Sequence, residues 1–145
     1  MATALPVLLS ELVEAFDDSV SWTRFHYLDR QTGEVGTALS QEVDKAGNFA
    51  DVRSEPQRYV RIKELPTWLR VQARVQFVEQ KVEDPALRMD LMDALQGDHA
   101  VPDFERLLRN HPDVFEAFST YRKHAFADAA REWLATHKLA KVELK

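Results

Sequence analysis

The chain predicts an α+β fold: an N-terminal helix, a small antiparallel β-sheet of three to four strands, then a helical C-terminal half of about four helices. Three observations carry this. Aromatic and β-branched stretches bounded by turn residues lie within Val20–Ile62. Beyond Leu65, apolar residues recur at spacings of three and four. The chain has 145 residues and no Gly-, Ser- or Pro-rich linker to divide it, which predicts a single domain over 1–145, with helix and sheet in 1–63 and the helical half in 64–145.

Thr3–Phe16 reads as the first helix, with Leu8, Leu9, Leu12, Val13 and Phe16 on one face. Pro6 falls in its first turn, where a missing N–H is harmless. Asp17-Asp18-Ser19 ends it. Val20–Asp29 reads as a strand, with Phe25 and Tyr27 on one face and Trp22 and Leu28 on the other. Asp29–Glu34 is a turn in which Gly33 takes the left-handed conformation, closing a hairpin with a bulge. Val35–Leu39 is the returning strand. Ser40–Pro56 is polar with a Gly47-Asn48 turn, and Phe49–Val52 is a short candidate strand. In Arg58–Ile62, Tyr59 and Arg61 share one face and Val60 and Ile62 the other.

Leu65–Val82 is the central helix. Trp68, Val71, Val75, Val78 and Val82 form an apolar seam expected to join the sheet to the helices. Pro66 and Thr67 open it. This places Arg70, Arg74 and Lys81 on the exposed side and Phe77 opposite the seam. Asp84-Pro85 is an N-cap followed by proline at the first helical position, with Leu87, Leu91, Ala94 and Leu95 inward and Gly97 as the stop. A short helix follows over Pro102–Arg109, burying Phe104, Leu107 and Leu108. The longest helix is predicted over Pro112–Thr136, with Arg122 inside its stripe of Val114, Phe115, Phe118, Tyr121, Ala125, Phe126, Ala129 and Trp133. The tail Lys138–Lys145 can dock through Leu139, Val142 and Leu144.

Composition bounds the function. A 45% hydrophobic and 30% charged chain is that of a globular protein. The absence of cysteine excludes disulfides, thiolate catalysis and cysteine-held metal sites. The N-terminus lacks a signal-peptide pattern and no apolar run approaches the ~18 residues of a membrane span, so the expected location is the cytoplasm, away from membranes. Net charge is −5, unevenly spread. Residues 1–52 hold nine acids against three bases, whereas residues 53–81 hold seven bases against three acids.

No histidine lies in a ligand or triad spacing, and His111, His124 and His137 do not share a helix face. The carboxylate pairs Asp17-Asp18, Asp29 with Glu34, and Asp90 with Asp93 read as turns or solvated faces. With four glycines, there is no phosphate loop, and no Gly-x-Ser-x-Gly elbow. No catalytic residue, metal site or cofactor is therefore predicted. The basic middle interleaves Arg53, Arg58, Arg61, Lys63, Arg70, Arg74 and Lys81 with Tyr59 and Trp68, the residue types that hold single-stranded nucleic acid. Its plainer reading is pairing with the acidic first third. Phe77 and Arg122 break the helical pattern and are the candidate interface residues.

The order of pieces resembles a small bacterial family of unknown function, uncharacterised protein family 0158. The resemblance rests on Leu12–Phe16, Tyr27–Val35, Arg58–Ile62 with Pro66, Phe77, the run Leu91, Ala94, Leu95 and Gly97, Phe104, and Glu132-Trp133-Leu134. Members carry a basic stretch after the third helix. Here Ala100 and Phe104 match it, while Pro102, Asp103 and Glu105 replace the basic positions. The resemblance implies no activity, substrate or cofactor.

The sequence thus favours a non-catalytic interaction or regulatory module acting through protein–protein contacts, with a protein partner or self-association. The alternative is nucleic-acid binding through Arg58, Arg61, Lys63, Arg70 and Arg74. A third reading is an enzyme with a site between the sheet and the helical half.

Overall fold

The computed structural model describes residues 5–18, 24–39, 57–137, 139 and 142–144. The fold is α+β. In chain order the elements are β1 (Leu5–Val7), α1 (Leu9–Phe16), β2 (Arg24–Asp29), β3 (Val35–Leu39), β4 (Tyr59–Ile62), α2 (Thr67–Lys81), α3 (Pro85–Leu95), α4 (Ala100–Leu108), α5 (Pro112–Ala125), α6 (Ala127–Thr136) and β5 (Val142–Leu144). They gather into two units. The first comprises Met1–Glu64 and Phe126–Lys145; the second is Leu65–Ala125.

The first unit is built on an antiparallel sheet of order β3-β2-β4. Strand alternation sends Leu28, Val60 and Ile62 to a buried face, and Phe25, Tyr27, Tyr59 and Arg61 to the opposite, partly open one. The β2–β3 turn closes with the Asp29 N–H donating to the Glu34 carbonyl at 2.9 Å and the Gly33 N–H to the Asp29 carbonyl at 2.8 Å. Gly33 has φ 81°, as the turn sequence predicts. A Cβ there would also overlap the Pro6 carbonyl oxygen, so glycine is needed for close approach as well as for conformation.

The helix expected over Thr3–Phe16 begins only at Leu9. Leu5–Val7 is instead a strand paired in parallel with the C-terminal tail, Leu5 facing Val142 and Val7 facing Leu144. The physical reason is Pro6: it disfavours helical backbone at Leu5 and withholds a donor, which a short edge strand tolerates. Leu8, expected inward, is 46% exposed. Leu12, Val13, Ala15 and Phe16 are buried, and Phe16 meets Trp133 of α6 edge-on, ring centroids 6.2 Å apart. The tail docks as β5, and the Leu139 N–H donates to the Leu134 carbonyl at 2.9 Å. The candidate strand Phe49–Val52, the Gly47-Asn48 turn, Val20 and Trp22 lie outside the described residues.

The second unit is helical. Asp84 caps α3 by accepting from the Ala86 N–H at 3.1 Å, with Pro85 at the start of the helix. Leu87, Leu91 and Leu95 face inward and the helix stops two residues before Gly97. The short helix α4 starts at Ala100, two residues earlier than expected, and adds Val101 to the buried Phe104 and Leu108. The core is Phe77, Val78, Val82, Leu87, Leu91, Leu95, Phe104, Leu108 and Phe118. Phe118 is its centre, with ring centroids 5.2 Å from Phe77 and 5.1 Å from Phe104.

Two expectations change here. The seam on α2 is rotated: Trp68 is 68% exposed, Val71 and Val75 are only half-buried, and the buried stripe is Arg70, Ala73, Arg74, Phe77 and Val78. Both stripes satisfy helical spacing. The stripe containing Phe77 wins because a phenylalanine buries more apolar area than a valine and arginine stems pack well. The single long helix over Pro112–Thr136 is two helices, broken at Phe126, which is buried with φ −103° and ψ 7°. Ala125-Phe126-Ala127 contains neither Pro nor Gly, so no local signal marks the break. Among the described residues, no helix is long and apolar enough to cross a membrane.

Candidate functional site

The open face of the β3-β2-β4 sheet concentrates aromatic rings and guanidinium groups. Register pairs Tyr27 with Gly36 on one side and with Arg61 on the other, and Asp29 with Tyr59. Tyr27 and Tyr59 meet edge to face, centroids 5.4 Å apart. The Arg61 guanidinium stands 4.3 Å from the Phe25 ring centroid, and that of Arg58 is 5.0 Å from the Tyr59 centroid. Gly36 makes room for this arrangement. A Cβ there would lie 2.5 Å from the end of the Tyr27 ring, so the ring lies over bare backbone. Phe25, Tyr27 and Tyr59 are half-buried; Arg61 and Lys63 are exposed.

Asp29 anchors one corner. Its carboxylate accepts from Arg58 Nε at 3.1 Å and Nη2 at 3.0 Å, and from the Gln31 N–H at 2.8 Å. Burial pushes the Asp29 carboxyl up, but the hydrogen bonds from Arg58, Gln31 and Thr32 and the charge of Arg58 outweigh it. The carboxyl is held below its ordinary value of 3.8. Arg58 is thus fixed beside Tyr59 as part of the sheet's frame. At the same end, Arg30 donates to the His137 carbonyl at 3.1 Å.

The sheet's other face carries a polar chain. Asp18, just after α1, lies 2.5 Å from His26 Nε2 on β2, and His26 Nδ1 lies 3.1 Å from Thr37 Oγ1 on β3. Asp17, Asp18 and Asp29 are all buried, so for these three the solvated-face reading fails, while the turn reading holds for Asp29, which opens the β2–β3 turn. Asp90 and Asp93 are exposed, as that reading expects. Nothing in linear spacing signals the chain of three. Strand register alone brings His26 opposite Thr37. Among the described residues, no group of three or more His, Cys, Asp or Glu side chains is gathered as a metal site requires.

The remaining predicted site residues lie in the second unit. Arg70 and Arg74, expected on an open surface, are 3% and 0% exposed. The rotated α2 stripe is the reason. Arg74 donates from Nη1 to the Arg70 carbonyl at 3.1 Å and from Nη2 to Glu105 at 3.2 Å, and lies 5.0 Å from the Phe118 ring centroid. The acid at position 105 is therefore accounted for inside the unit. Lys81 is exposed, as expected, and Arg53 lies outside the described residues. Phe77, an interface candidate on condition that it is exposed, is 0% exposed between Phe118 and Tyr121. Arg122, the other interface candidate, is half-buried with its guanidinium 5.7 Å from the Phe118 centroid.

Of the basic candidates, the structure thus places Arg61 on the open sheet face, Arg58 just before β4 against Asp29 and Tyr59 of that face, and Lys63 just beyond the end of β4. Sequence reasoning missed Phe25 and Tyr27 as members of that face. Their signal was the two-residue alternation of β2, which set them on the side of Tyr59 and Arg61 once the strands paired.

No curated protein and no solved structure matches this chain. The model of the uncharacterised protein family UPF0158 does, over residues 4–144, a span that takes in every element of both units; the chain belongs to that family.

Proposed function

We propose that the open sheet face of the first unit binds single-stranded nucleic acid. The observation that carries the reading is the gathering of Phe25, Tyr27, Tyr59, Arg58 and Arg61 on one side of a three-stranded antiparallel sheet. Such a sheet offers flat rings for unpaired bases to stack on, and guanidinium planes that both stack and neutralise phosphate. Exposed Lys63 extends the positive edge. The overall charge of −5 does not oppose this, because the cations are local and the nearby Asp29 is already neutralised by Arg58. The contact set is Arg58, Arg61 and Lys63 with the aromatics, without the buried Arg70 and Arg74.

Fluorescence anisotropy with a labelled single-stranded oligonucleotide tests it. Binding at low salt should weaken steeply as salt rises. Tyr59→Ala should cost about 1–3 kcal/mol, and Arg61→Glu should lower affinity and flatten the salt slope. No binding at low salt ends the proposal.

One observation favours a second reading, docking on a protein partner or a second copy. Trp68, a residue type that dominates interface energetics, is 68% exposed in the first turn of α2. Sedimentation that shows a strict monomer, together with identical partner capture by wild type and Trp68→Ala, would remove it.

A further inference from the structure

We propose that Thr37 is a nucleophile, activated by His26 and oriented by Asp18, that accepts acyl groups from small activated esters. The three residues form a continuous hydrogen-bonded chain across the first unit. Asp18 Oδ2 is 2.5 Å from His26 Nε2, and His26 Nδ1 is 3.1 Å from Thr37 Oγ1. An ionised carboxylate only accepts, so Asp18 places the imidazole proton on Nε2. In the neutral imidazole Nδ1 is then a lone pair that accepts from the Thr37 hydroxyl. This is the nucleophile–base–orienter order that activates a weak hydroxyl.

Burial follows the same order. The side chains of Asp18 and His26 are 7% and 14% exposed, while Thr37 is exposed. A dry carboxylate behind a nearly dry imidazole presents its base to a hydroxyl that a substrate can reach. Asp18 also stands at the C-terminal end of α1, where the helix dipole disfavours negative charge. An imidazole that gains a proton during attack is stabilised by both.

The sheet supplies a further element. At the hairpin end the Asp29 N–H donates to the Glu34 carbonyl and the Gly33 N–H to the Asp29 carbonyl, a bulged hydrogen-bonded position, so antiparallel alternation makes His26 and Thr37 a non-hydrogen-bonded pair. Their side chains are therefore close, and the Thr37 N–H points away from β2. Among the described residues β3 is the sheet edge, so this N–H is available to an oxygen that gains charge during attack.

The step balances without a co-reactant. Thr37 Oγ1 bonds to the ester carbonyl carbon while its proton passes to His26 Nδ1. The bond to the leaving alcohol breaks, and that oxygen takes the proton from Nδ1. Water then attacks the acyl-Thr37 carbonyl with Nδ1 as base, the Thr37–acyl bond breaks, and Nδ1 returns the proton to Thr37. The net reaction is ester plus water to acid plus alcohol.

The test is p-nitrophenyl acetate with the full chain, reading nitrophenolate release and the acetylated peptide by mass spectrometry. Acetyl is expected on Thr37. Thr37→Ala should abolish that labelling, Thr37→Ser should retain it, and His26→Gln should slow release about a hundredfold. Circular dichroism checks each fold, and Thr37→Val, which suits a strand, replaces the alanine variant if that one unfolds. Release from Thr37→Ala at the wild-type rate, acetyl found only on lysines, or no release above buffer overturns the proposal. Thr37 lies on the opposite sheet face from Tyr59 and Arg61, so its loss leaves oligonucleotide binding unchanged and the two proposals fail separately.

Discussion

Asp29 is the carboxylate on which the open sheet face is hung. Its folded-state pKa lies below the ordinary 3.8, so its contribution to stability is fully present above that value. It is lost as pH falls through the lower, folded-state value. Acid titration of the folded fraction should therefore show a limb below about pH 4 that Asp29→Asn flattens. At neutral pH, Arg58→Ala should cost about 1.5–3 kcal/mol in a urea titration, because a charge-assisted bidentate pair is lost. The turn that holds Asp29 was legible: Asp29–Glu34 is turn chemistry, and Gly33 takes the left-handed conformation it implies. The partner was not. Arg58 lies 29 residues away and meets Asp29 only because β4 pairs with β2. The same holds for Asp18, His26 and Thr37, each unremarkable until register joins them.

Elements were legible where spacing and punctuation agreed. Asp84-Pro85 predicts the start of α3, and α2 runs within the expected Leu65–Val82. Its buried face was not legible, because two overlapping stripes share the same period and one of them contains arginine. Binary patterning counts Arg70 and Arg74 as surface, yet both are buried, and the Arg74 guanidinium is held inside by Glu105, the Arg70 carbonyl and the Phe118 ring. Phe77 decides the rotation. Phe77→Ala should destabilise the helical unit by about 3–5 kcal/mol in chemical denaturation, a core loss rather than a loss of surface contact. A cost below about 0.5 kcal/mol, the range of ordinary surface changes, would place the residue at the surface after all. Pro6 erased the front of the first helix through its own backbone restriction, whereas Phe126, which is buried, ended a helix with no breaker in its sequence.

At the scale of the whole chain, the helical unit Leu65–Ala125 is continuous, whereas the first unit is assembled from segments on either side of it. The parallel pairing of β1 with β5 joins those segments at their far ends. Deleting residues 139–145 should raise hydrogen exchange in β1 and α1 while the α2–α5 amides stay protected, as expected if each unit opens on its own. Equal loss of protection in both units would show that they unfold as one. The arrangement also sets an order of events during translation. Leu65–Ala125 is synthesised before α6 and β5, so the N-terminal segment cannot gain its closing strand until the whole helical unit has been made. The half of the molecule that is made first is therefore the last to be finished.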